Sequence, residues 1–172
     1  MQSSLLPRNT VWLVLPPIAL CVLDFGLTLY GQSDRYWGGD FHVVNEGSPS
    51  FAHYLSVHPL AFVAAGILWI VMFSALILLL PERFALTLVV AIVIGHMAGA
   101  ATWLMYRFNL YQACNVLFLV TSGLIVFAFK RGQNTDGRAA LNWERTGLPG
   151  WTRWVVVAAL IALPTWWFII PR

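Results

Sequence analysis

Apolar residues in this chain run in long stretches with few polar interruptions, not at the spacings of a half-buried strand or an amphipathic helix. Five such runs stand out, at roughly 11–30, 59–80, 84–105, 111–129 and 153–170. A helix rises about 1.5 Å per residue, so about 20 residues cross the hydrocarbon of a bilayer. The bilayer interior offers backbone groups no water, which makes each run a predicted membrane-crossing helix. The expected fold class is therefore all-α: a polytopic membrane helix bundle in a single domain over 1–172. It has five transmembrane helices, or four if the last run lies at the interface. Trp151, Trp154, Trp166 and Trp167 bracket that run as interfacial belts do, which favours a span. Pro16 and Pro17 stand near the start of the first helix, where missing N–H groups matter least, and Pro164 predicts a kink in the last.

Composition agrees with this reading. The 172 residues are 59% hydrophobic and 10% charged, against about 25% charged in soluble domains. Arg8 precedes the first run, but no A-x-A-like cleavage site precedes Gly31, so an uncleaved first span is expected. The basic residues then orient the bundle. Lys130, Arg131, Arg138, Arg145 and Arg153 lie in or beside the linker at 130–152, which the positive-inside rule makes cytoplasmic. Counting back puts Arg83 and the N-terminus inside and the loop at 31–58 outside; the C-terminus is then also outside. A multi-pass protein of a bacterial inner membrane is the expected setting, with the lipid bilayer and other membrane protein subunits as partners. The ten basic residues are too dispersed for a nucleic-acid footprint. Cys21 and Cys114 form no CxxC pair, which argues against dithiol chemistry.

This topology sets the depth of each polar group. Asp24 falls roughly 9 Å below the outer end of the first helix, with Thr28 one turn above it on the same face. His96 falls roughly 13 Å below the outer end of the third. Gln112 and Asn115 share a face at the start of the fourth, His58 stands at the mouth of the second, and Glu46 hangs from the loop. The pocket candidates are thus Asp24, Thr28, Glu46, His58, His96 and Asn115, all in the outer half. A charge inside a bilayer costs a few kcal/mol unless it is paired or wetted. Asp24 is accordingly read either as a ligand, proton carrier or catalytic carboxylate, or as a buried carboxylate that locks the bundle by bonding Thr28, His96 or Asn115.

His96 lies in "VIGHMAGAATW", where Ala91, Gly95 and Gly99 form a small-residue ridge expected to serve close helix packing. Three roles stand open for it: a hydrogen bond to Asp24, a metal ligand alongside Asp24 and Glu46, or the single axial ligand of a tetrapyrrole packed on the glycines. The sequence assigns no cofactor. It contains no H-E-x-x-H, nucleophile elbow or Gly-rich phosphate loop.

Asp24-x-x-x-Thr28, followed by an outer turn Glu46-Gly-Ser-Pro49, resembles small uncharacterised bacterial and archaeal polytopic membrane proteins. These carry an Asp-x-x-x-Thr first helix and a Glu-x-Asn-Pro turn; Ser48 stands here where that pattern has Asn. The resemblance covers the N-terminal third and implies that the Asp and the Glu belong to one site. The expected function is a small integral membrane subunit or binding protein with an outward-facing polar pocket. The alternatives are a metal-assisted intramembrane hydrolase acting on a lipid or peptide, and a pigment- or haem-binding subunit using His96.

Overall fold

The computed structural model describes residues 10–132 and 141–169. Arg8, the middle of the 130–152 linker, and the side chains of Pro164, Trp166 and Trp167 lie outside the described residues. The described chain is helical throughout and contains no strand. A 3-10 turn at Thr10–Val14 leads into α1 (Leu15–Tyr30), with Pro16 and Pro17 in its first turn. Two short helices follow, α2 (Asp34–Trp37) and α3 (Pro49–Val57). Then come α4 (Pro59–Leu79), α5 (Glu82–Thr102), α6 (Tyr111–Gly132) and α7 (Gly150–Ile169).

Among the described residues, four stretches are long and apolar enough to cross a membrane: Val11–Tyr30, Pro59–Leu79, Glu82–Arg107 and Tyr111–Gly132. They coincide with the first four predicted runs. The third is longer than expected because α5 continues through a π-helical turn at Trp103–Arg107. The fifth run is α7. It packs against α4 and also reaches α3, near the opposite end of α4 from its own start.

The bundle is organised around α1, which packs chiefly on α5 and also touches α4 and α6. Its core holds Leu20 and Cys21 of α1, Phe73 and Ile77 of α4, Val89 and Val93 of α5, and Cys114 of α6. These positions exclude both solvent and lipid, whereas Val116, Leu119 and Val120 of α6 face outward from the bundle. The apolar residues of such a helix have to serve two environments at once, which is why the runs show so little periodicity.

The 31–58 segment is folded, not draped. Ser33 caps α2 by accepting from the Tyr36 N–H at 3.2 Å. Tyr36 is fully buried with Leu55 and Phe62, packed against Phe25, Phe41 and Phe51, and its hydroxyl donates to the Leu55 carbonyl. At the other end of the bundle Arg153 donates from Nε to the Leu79 carbonyl at 2.7 Å, joining α7 to the C-terminus of α4.

Candidate functional site

A cleft of about 780 Å³ opens at the end of the bundle that carries α2 and α3. Asp24, Phe25 and Thr28 of α1 form its back, Phe62 and Trp69 come from α4, and residues 45–48 with Phe51 roof it. The long wall is α5, from Ala91 through Gly95, His96 and Gly99 to Trp103 and Arg107. Ala91, Gly95 and Thr102 line the cleft and are exposed, so it opens sideways along that flank of α5 as well as towards the roof.

Asp24 and His96 meet in this cleft, with Asp24 Oδ2 and His96 Nδ1 2.8 Å apart. The other ring nitrogen, Nε2, accepts from the Trp69 indole N–H at 3.1 Å. Indole nitrogen only donates. Nε2 therefore offers its lone pair, Nδ1 carries the proton, and the Asp24 carboxylate accepts it. A doubly protonated ring would set an N–H against the Trp69 N–H, so the network holds His96 in its neutral Nδ1–H form. Sequence reasoning offered His96 as one of three partners for Asp24, with Thr28 and Asn115, and missed Trp69. Its only signal was depth: Trp69 lies roughly 15 Å along α4 from Pro59, close to the level expected of His96.

This arrangement bears directly on the ligand roles considered for His96. The lone pair that would bind a metal or a tetrapyrrole is engaged by Trp69. Among the described residues, no group of three His, Cys, Asp or Glu side chains is placed to hold a metal ion. The set Asp24, Glu46 and His96 shares a cleft without forming such a cluster.

The small-residue ridge divides between two uses. A Cβ on Gly99 would come within 2.6 Å of Asp24 Oδ1, so this glycine lets α5 close on α1 at the carboxylate. A Cβ on Gly95 would meet nothing within 4 Å, because that side of α5 faces the open cleft. Gly99→Ala should consequently push Asp24 off His96 and cost about 1–3 kcal/mol of stability. Gly95→Ala, relieved of glycine's helix penalty, should gain about 0.5–1 kcal/mol. Unfolding of both variants in detergent checks the contrast, and equal effects would disprove it.

Glu46 reaches the cleft from the roof. It accepts from the Ser48 N–H at 2.8 Å, from the Gly47 N–H and from the buried Thr28 hydroxyl. Burial pushes its carboxyl above the usual range; the Ser48 N–H opposes this and the Asp24 charge adds to it. No basic side chain figures among these influences. Gln32, a residue sequence reasoning passed over, holds the roof in place. It is 4% exposed, donates to the Thr28 and Asn45 carbonyls at 2.8 Å each, and accepts from the Asn45 N–H at 2.9 Å. At the rim, Arg107 Nε donates to the Gly31 carbonyl at 3.0 Å, and a Cβ on Gly31 would overlap the Trp103 ring. The π-turn that carries Trp103 and Arg107 had no signal in the hydropathy.

Two candidates fall elsewhere. His58 is exposed and caps α4, accepting from the Leu60 N–H at 3.1 Å while its ring packs on Phe41. Asn115 is exposed on α6 and does not line the cleft, and Gln112 is exposed as well. Equal depth had grouped Asn115 with Asp24, but Cys114 and Leu117 are the residues of that turn that face the core. The cleft thus brings together Asp24, Thr28, Glu46 and His96, joined by Trp69 and Arg107.

No family model matches this chain, and comparison with curated proteins and with solved structures returns no match.

Proposed function

We propose that this is a small integral membrane binding protein whose cleft faces outward and takes up an amphiphile from the surrounding bilayer. The observation that carries the reading is the sideways opening of the cleft along Ala91 and Gly95, within a helix apolar enough to cross the membrane. An acyl or alkyl chain enters there from lipid without crossing water, while its polar end meets Asp24, Thr28 and Glu46. Pockets that bind small molecules are typically apolar with a few placed polar groups and of this size. With four spans, or five counting α7, the chain is small for a transporter of inverted repeats, which favours work alongside other membrane subunits.

The test is occlusion. Position 95 has open space beside it, so Gly95→Phe should fold normally and fill the cleft. A brominated long-chain alcohol should quench tryptophan fluorescence saturably in the wild type, because Trp69 and Trp103 line the cleft. The variant should lose most of that quenching, and quenching unchanged in Gly95→Phe would remove the proposal.

The outward orientation rests on basic residues, of which seven fall on the inner side and three on the outer in a five-span arrangement. Cys21 and Cys114 are buried, so added cysteines report cleanly. Asp40→Cys should react with an impermeant maleimide in intact cells and Glu144→Cys only after permeabilisation; the opposite pattern reverses the protein in the membrane.

The hydrolase reading has one geometric point in its favour. A carboxylate bonded to His Nδ1–H is the arrangement that orients a general base or a metal ligand. Here Trp69 holds the nitrogen that would act. Stoichiometric metal in the purified wild type, lost in His96→Gln, would transfer the reading to that class.

A further inference from the structure

We infer that the amphiphile bears a cationic amine headgroup, seated between Asp24 and Glu46. This rests on the cleft being an amphiphile site and names what that site selects.

Two carboxyl side chains, Asp24 and Glu46, line the same cleft, one from α1 and one from the roof. A structure that brings two such groups together normally supplies a cation between them. Here the obvious internal candidates are spent. His96 is held neutral by the Trp69 N–H, so it gives Asp24 a hydrogen bond and no charge. Arg107 lines the rim, is exposed, and donates its Nε to Gly31, not to either acid. Among the described residues, the deep end of the cleft therefore has two carboxyl groups with no protein countercharge on either.

The remaining lining suits an organic cation rather than a bare metal ion. Among the described residues there is no metal-holding group. Instead Phe25 and Phe51, tilted against each other at a centroid separation of 5.0 Å and backed edge-on by the buried Phe62, stand beside the carboxylates, and Trp69 and Trp103 complete the wall. Ring faces attract ammonium groups within about 6 Å, more so where water is excluded. The order of groups along α5 matches an amphiphile of this kind. The open apolar flank at Ala91 and Gly95 comes first, then Gly99 with Asp24 against it, with the roof and Glu46 above. A chain lying on the flank brings an amine at its end to the two acids. Arg107 at the rim disfavours a second positive charge further out.

The experiment compares two probes of one chain length, a brominated alkyltrimethylammonium and the matching brominated alcohol, by quenching of tryptophan fluorescence in uncharged detergent. The ammonium should bind on the order of tenfold or more tightly than the alcohol. Glu46→Gln, a loop substitution that keeps an oxygen for the Ser48 and Thr28 bonds, should remove most of that advantage, lowering ammonium affinity far more than alcohol affinity. Asp24→Asn should do the same. Equal binding of the two probes, or a preference for the ammonium that survives both substitutions, overturns the headgroup inference while leaving an amphiphile cleft. Binding of both probes that Gly95→Phe does not alter removes the cleft reading itself.

Discussion

Asp24→Leu should destabilise this protein by about 2–5 kcal/mol in detergent, whereas Asp24→Asn should cost no more than about 1 kcal/mol. The leucine leaves the His96 Nδ1–H without an acceptor, worth about 1–3 kcal/mol for a mostly buried donor. It also forces a branched side chain against α5 where only Gly99 stands, which adds about 1–3 kcal/mol of overpacking. Asparagine keeps the shape and an oxygen that accepts from Nδ1–H, so most of the network survives. Thermal and chemical unfolding of the two variants measures the difference. A leucine variant as stable as the wild type would mean that the Asp24–His96–Trp69 network holds nothing together. An asparagine variant as damaged as the leucine one would mean that negative charge itself is required, and that His96 is not the neutral donor its partners make it.

The second large effect is in pH. Burial raises the Glu46 carboxyl above its ordinary value, with the Asp24 charge adding to the shift and the backbone N–H groups and Thr28 opposing it. A folded-state value above the unfolded one means that the folded protein holds the proton longer. Stability linked to Glu46 is therefore fully present below about pH 4.3, the ordinary glutamate value, and is lost as pH rises through the folded value. Glu46→Gln should flatten that slope and leave the variant at least as stable as the wild type at neutral pH. Asp24, His96, Tyr106 and Arg107 are the other charged or titratable groups lining the cleft, and they remain in the variant. Melting temperatures across pH 4–8 decide the point. A wild type that gains stability across this range while the glutamine variant does not would reverse the sign and refute the burial argument. Ligand uptake runs the opposite way: binding of the ammonium probe should strengthen with rising pH as Glu46 ionises.

The long helices were legible in the sequence because hydrocarbon demands length and continuity, and both can be read by counting. The boundaries of α4 and of the run into α1 fell within a residue or so of the hydropathy edges. The partner of Asp24 was legible as one of three, Thr28, His96 or Asn115, since an intramembrane carboxylate needs a partner at its own depth. What counting cannot give is azimuth. Asn115 shared the depth of Asp24 but lies on the exposed side of α6, and of the small-residue ridge Gly99 meets α1 at Asp24 while Ala91 and Gly95 line an open cleft. Rotation about each helix axis follows from how the core packs, and runs apolar on all sides conceal it. The roof escaped for another reason. Gln32 and Asn45 are joined by side chain-to-backbone bonds across 13 residues, and no local pattern announces such a pair.

The contact between Gly99 and Asp24 reaches beyond this one chain. Two positions 75 residues apart are tied by a single volume, since any side chain at 99 overlaps the carboxylate at 24. Descendants of this sequence that keep the acid in its place on His96 are held to glycine on α5, and those that gain a methyl there must move the carboxylate off His96 or surrender it. Drift at the two sites is therefore coupled: loss of the carboxylate frees the glycine, whereas loss of the glycine first costs the carboxylate its place on His96.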